Sequence, residues 1–166
     1  MTIAEVLLPE FDREMGMTRR LLERLPDDQF AWKPHDKSMT LGRLAEHLAE
    51  LPAWARASIT ESGIDMASQR PPGYTAPASR AAVLAMFDRN VAAARAALSG
   101  RTDAELMAPW TLKTQGKEIF TMPKATVLRG FVMNHTIHHR GQLSVYLRLH
   151  NVAIPSMYGP SADDPM

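Results

Sequence analysis

No cysteine occurs in the 166 residues. Disulfides, thiolate metal ligands and a cysteine nucleophile are therefore excluded, and any metal must be held by nitrogen and oxygen. Excess charge of either sign is also missing. Nineteen Lys and Arg stand against 18 Asp and Glu, scattered rather than clustered. A nucleic-acid binder needs a basic face for phosphates, so no nucleic-acid partner is expected. No apolar run approaches a bilayer-spanning length, and the first ten residues lack the basic start and long apolar stretch of a signal peptide. No membrane partner is expected, and the cytoplasm is the expected compartment. Internal repeats and low-complexity tracts are absent too.

What remains is an ordinary globular composition, 45% hydrophobic and 22% charged. The length suits one domain, residues 1–166, large enough to bury a core. The periodicity is helical almost throughout. It predicts a first helix over 3–25, with Phe11, Met15, Thr18, Leu22 and Leu25 along one stripe and Pro9 as a kink or true start. The segment 30–38 reads as a loop with apolar anchors. Ser38 or Thr40 can cap a second helix over 39–60, whose inner face carries Leu44, His47, Leu48, Leu51, Ala55 and Ile59. Pro52 should bend it. Residues 61–78, with Gly63, Pro71, Pro72, Gly73 and Pro77, read as a long crossover. Ser79 caps a third helix over 79–99, stopped by Gly100. A short helical turn opens at Thr102. Trp110–Thr114 and Glu118–Thr121 around Gln115-Gly116 can form a small hairpin. The last helix should start at Thr121 with Pro123 and end near His150. The expected fold class is all-α, a four-helix bundle with a long crossover connection.

Half of the six histidines fall in His135-Thr-Ile-His138-His139. His135 and His139, four apart on a helix, share one face one turn apart. On a helical wheel they lie in a stripe with Leu128, Val132, Gln142 and Tyr146, while His138 falls about a quarter turn away. Geometry thus prefers the pair 135/139 to 135/138. A buried imidazole must be hydrogen-bonded or must bind a metal. His47, on the inner face of the second helix, is the candidate third ligand, and three histidines leave coordination positions free for water or substrate. His35 and His150 read as structural, the second suited to a helix C-terminus. Glu46 should point away from the inner face. Glu50 is a candidate acceptor behind the site, with a solvated surface role the simpler reading. Gln142 and Tyr146 can orient a substrate or bond a ligand. The eleven methionines and three tryptophans are most simply packing residues, although Trp32 and Trp54 could wall a pocket.

The segments Trp32-Lys-Pro34 and Ser38 through His47 to Pro52 resemble the first signature of the DinB/YfiT-like family. Asn134-His135-Thr-Ile-His138-His139-Arg140-Gly141-Gln142-Leu143 resembles the second, and the tail from Val152 to Asp163 is also similar. The resemblance spans nearly the whole chain. It implies a helical bundle with a long crossover, commonly a homodimer. It also implies a divalent metal, often nickel or zinc, held by His47, His135 and His139, with His138 not a ligand.

Proteins with this resemblance include S-transferases and isomerases that use a low-molecular-weight thiol, and metal-dependent hydrolases. The leading expectation is a thiol-dependent S-transferase-like enzyme acting on a small molecule. Arg140, Gln142 and Tyr146 would be its orienting groups. The alternatives are a hydrolase of a small substrate and a non-catalytic metal- or small-molecule-binding stress protein.

Overall fold

The computed structural model describes residues 1–68 and 73–165. Helix α1 (Ile3–Leu22) opens with a reciprocal cap in which the Thr2 hydroxyl accepts from the Glu5 N–H and the Glu5 carboxylate accepts from the Thr2 N–H. It runs through Pro9 without a break. Leu25, beyond its end, is still fully buried. Helix α2 (Leu41–Thr60) begins at the Thr40 cap, not at Ser38, because the Thr40 hydroxyl accepts from the Arg43 N–H at 3.2 Å. Helix α3 (Arg80–Leu98) is capped by Ser79 and ends just before Gly100, whose positive φ of 73° turns the chain.

The expectation of an all-α fold needs correction. The protein is mostly helical, but it also carries a three-stranded sheet. After the short α4 (Asp103–Met107) come β2 (Pro109–Thr114) and β3 (Lys117–Pro123), antiparallel, with Gln115 and Gly116 at positive φ in the turn. A third strand, β1 (Gly63–Asp65), pairs parallel with β2 from inside the crossover. Three residues are too few for alternation to show in a sequence. Gly63 is required there, since a Cβ would sit 2.4 Å from the Thr111 carbonyl oxygen. The Asp65 carboxylate caps the hairpin turn, accepting from the Gln115 and Gly116 N–H groups at 3.0 and 2.6 Å. Pro71 and Pro72 of the expected crossover lie outside the described residues.

The C-terminal helical run starts at Lys124, not at Thr121, because β3 pairing extends to Pro123. It comprises α5 (Lys124–Thr126), a π-helical stretch (Val127–Met133) and α6 (Asn134–Leu149). In the π stretch the Asn134 N–H reaches back five residues to the Arg129 carbonyl.

Helices α1, α2, α3 and α6 share one apolar core containing Phe11, Leu44, Leu48, Phe87 and Leu143. A smaller cluster of Ala57, Ile64, Trp110, Leu112 and Val127 lies under the sheet. Among the described residues no helix is long and apolar enough to cross a membrane.

One charged pair sits inside this packing. Arg140 of α6 is 1% exposed and Glu14 of α1 is 4% exposed. The Arg140 guanidinium donates to the Glu14 carboxylate at 2.8 Å, to the Glu14 carbonyl at 3.0 Å and to the Tyr158 hydroxyl at 2.8 Å. Tyr158 in turn donates to Glu14 at 2.7 Å. Its own hydroxyl is held above the ordinary tyrosine range, first by burial and then by the Glu14 bond. The tail carrying Tyr158 is pinned by two more carboxylates. Asp163 takes Arg148 and the Ile154 N–H, and Asp164 takes the Ser156 N–H at 2.8 Å.

Two predictions follow from these contacts. Arg140→Met leaves Glu14 charged and buried without its partner, and should cost about 3–5 kcal/mol of stability in urea denaturation. Adding Glu14→Gln should recover most of that loss. The second concerns acid. Asp163 is held below the usual carboxylate range by Arg148 and the Ile154 amide, Asp164 by the Ser156 amide. A depressed folded-state pKa means that stabilisation is complete above roughly 3.9, the unfolded aspartate value, and fades as pH falls through the folded values. Pepsin should accordingly leave the tail beyond Val152 intact near pH 5 and clip it first below about pH 3.

Candidate metal centre

The π-helical stretch ends at Met133, two residues before His135. Beyond it, α6 turns Thr136, Arg140, Leu143 and Leu147 into the centre of the core. His135 and His139 lie on the flank of that stripe, facing α2. The wheel's grouping of these two rings with Gln142 and Tyr146 is reproduced, but as an edge of the buried face, not its middle. Arg140 was expected to orient a substrate at the site. Its guanidinium is instead buried and bonded to Glu14 of α1.

On α2, His47 faces the same space. Its Nε2 lies 3.3 Å from His135 Nε2, which lies 2.8 Å from His139 Nε2. One ligand atom from each of the three residues falls within 4.8 Å of the others. His139 is buried, and His47 and His135 are half-buried.

The outer sides of the rings define which nitrogens carry hydrogen. His139 Nδ1 donates to Gln142 Oε1 at 2.7 Å. His135 bonds to the backbone of Phe131, one turn back. His47 Nδ1 faces Glu50 Oε2 at 3.5 Å. Glu50 also takes Arg43 at 3.0 Å. With the outer nitrogens acting as donors, the inner Nε2 atoms of neutral rings carry lone pairs. Burial, then repulsion from His139 and His47, pushes His135 down to about 4. His139 is also lowered, chiefly by burial and against the Gln142 bond. His135 and His139 are therefore neutral near pH 7, and their Nε2 atoms converge with that of His47.

Such an arrangement is relieved by a shared cation. Zinc–nitrogen bonds of about 2.0–2.1 Å give a tetrahedral edge of roughly 3.3 Å, close to the observed spacings. Imidazole donors suit zinc, nickel, copper and iron. The donor set thus fits a divalent metal, and the three histidines could hold one.

A cavity of about 470 Å³ opens at His47 and Glu50 and runs along α2 to Glu61, with Trp54 and Tyr74 in its walls. The described residues place the other sequence candidates as follows. Tyr146 donates to the Met39 carbonyl at 3.3 Å and packs edge-on to Trp32. Trp32 also meets His150, at 4.3 Å between ring centres, so of the two tryptophans only Trp54 lines the cavity. Arg140 is turned to α1. His138 and His35 are exposed. Glu46, expected to point away from the inner face, is only 2% exposed. It accepts from Arg43 and, at 2.6 Å, from the Tyr74 hydroxyl of the crossover. Sequence reading missed Tyr74, Arg56 and Arg89 in the cavity wall, because the crossover path that creates the wall leaves no periodic signal.

Comparison with known proteins agrees with the geometry. The profile of the DinB family matches residues 1–165. The chain belongs to the DinB family. It is 28% identical over 162 residues to the uncharacterized protein YrdA of Bacillus subtilis, covering 95% of this chain and 89% of that one. Its fold is similar to a crystal structure of a DinB-like protein from Bacillus cereus, with TM-score 0.70 and 24% identity over 93% of this chain and 97% of the other. A DinB-like protein of Bacillus subtilis, YjoA, matches with TM-score 0.66 and 19% identity over 87% and 91%.

Glu50 and Gln142 each hold the outer nitrogen of one imidazole. Glu50→Ala and Gln142→Ala should each weaken zinc binding by about 10–100-fold in competition with a chromogenic chelator. Equal affinity in wild type and both variants would show that these contacts do not orient the rings.

Proposed function

We propose that this protein is a divalent-metal-dependent enzyme of the thiol S-transferase kind, with nickel or zinc held by His47, His135 and His139. The convergence of three imidazole nitrogens, with His47 lining a solvent-accessible cavity, is the observation that carries this reading. A divalent ion held by neutral imidazoles would supply Lewis acidity, enough to bring a thiol or water to its nucleophilic anion near neutral pH.

The chain's own residues contribute position and charge. Gln142 and Glu50 keep the rings in the tautomer that presents lone pairs inward. Arg43 pairs with Glu50 and Glu46 behind His47. Trp54 supplies an apolar wall beside the histidines, which limits water and offers a surface to a small-molecule substrate. With no cysteine in the chain, a thiol nucleophile would enter as a cosubstrate.

Elemental analysis by mass spectrometry tests the first half of the proposal. Untagged wild type purified without chelator should carry near-stoichiometric metal, and His139→Ala none. A panel of thiols with electrophiles, beside a panel of esters and amides, tests the second half. Turnover that needs a thiol supports the transferase. Thiol-independent turnover would instead identify a hydrolase. Metal without turnover on either panel favours a binding protein, and absence of metal after reconstitution with zinc or nickel would overturn the metal reading.

A further inference from the structure

The cavity beside the histidines has a charge pattern that metal binding does not use. Arg56 of α2 and Arg89 of α3 both line it. Neither makes an ion pair among the described residues. Elsewhere Arg19, Arg95, Arg101, Arg129 and Arg148 each have a carboxylate partner, and Arg13, Arg20 and Arg80 meet the Tyr158 ring or a backbone carbonyl. Arg43, the third arginine of the wall, is already matched by Glu46 and Glu50. Glu61 is exposed at the far end and lies beyond pairing distance of Arg56.

We propose that this groove is a subsite for a small organic anion, in which Arg56 and Arg89 take a carboxylate, Trp54 takes the apolar body, and the reactive end reaches His47. The inference rests on the metal-centre reading for calling that anion a substrate. Three physical points support it. A guanidinium presents a planar fork of donors that matches a carboxylate in two parallel hydrogen bonds. Arg56 lies nine residues from His47 on one helix, about 13 Å along its axis, so a ligand of several carbons can span the two. Between them on α2 the wall includes the apolar Ala53 and Trp54. The groove therefore suits a molecule charged at one end and apolar in the middle.

A matched pair of probes tests this. The metal-free and the zinc-loaded protein are each titrated with 6-mercaptohexanoate and with 6-mercaptohexanol, following the Trp54 indole and Asn90 side-chain amide signals by NMR. The acid should bind at least about tenfold more tightly than the alcohol, as expected for a charge-assisted pair. In the Arg56→Gln/Arg89→Gln variant the preference should fall to within about twofold, with the alcohol's affinity and zinc uptake unchanged. Equal binding of the two probes by wild type, an acid preference that survives in the double variant, or signals that move only away from the groove would overturn the subsite. Acid preference in a protein that takes up no zinc would sustain the anion subsite and overturn the metal reading. Zinc uptake without acid preference would do the reverse.

Discussion

The buried pair of Arg140 and Glu14 sets the orientation on which the centre depends. Removing two charges from water costs several kcal/mol each, and only close, multiply bonded geometry offsets that. Here the guanidinium has the Glu14 carboxylate, the Glu14 carbonyl and the Tyr158 hydroxyl. Those bonds admit essentially one rotation of α6 against α1. With Arg140 turned to α1, the rings one residue and five residues before it face α2, where His47 stands. A pair that reads as stability alone thus also aims the histidines.

The same requirement for satisfied polar groups gives the centre its character. Glu46, Thr18, Thr136 and Arg140 are all buried, and each has hydrogen-bond partners within the protein. The inner nitrogens of the three histidines differ, since their partners are one another. The outer nitrogens face Gln142, Glu50 and the backbone of Phe131, so the inner ones are left to meet one another. A cluster of lone pairs is unfavourable in a packed protein unless a cation is meant to share it. The π-helical stretch just before His135 belongs to this arrangement. Such stretches cost hydrogen-bond geometry and recur at functional sites.

The helical periods and much of the site were legible because they are local. Thr40, Ser79 and Gly100 mark helix ends through their own side chains or backbone freedom. The pair His135/His139 follows from 3.6 residues per turn, and the hairpin from Gln115-Gly116 between two β-prone runs. Strand β1 was not legible, because three residues inside a Gly- and Pro-rich connection acquire strand geometry only by pairing with β2. The true centre of the α6 stripe was hidden for a related reason. Arg140 reads as an orienting group of the site until Glu14, 126 residues away, is brought against it.

By itself the sequence determined which chemistry was possible: no thiolate ligands, an imidazole pair at helical spacing, a third histidine on another amphipathic helix, and the signatures of the family. These are properties of residue identity and of helical repeat. Tertiary structure decided how close the three rings come, and that a cavity with two arginines lacking an ion pair among the described residues opens beside them. Those depend on the rotation of α6, on the path of the crossover over Glu46, and on contacts between residues far apart in the chain, none of which a local pattern encodes.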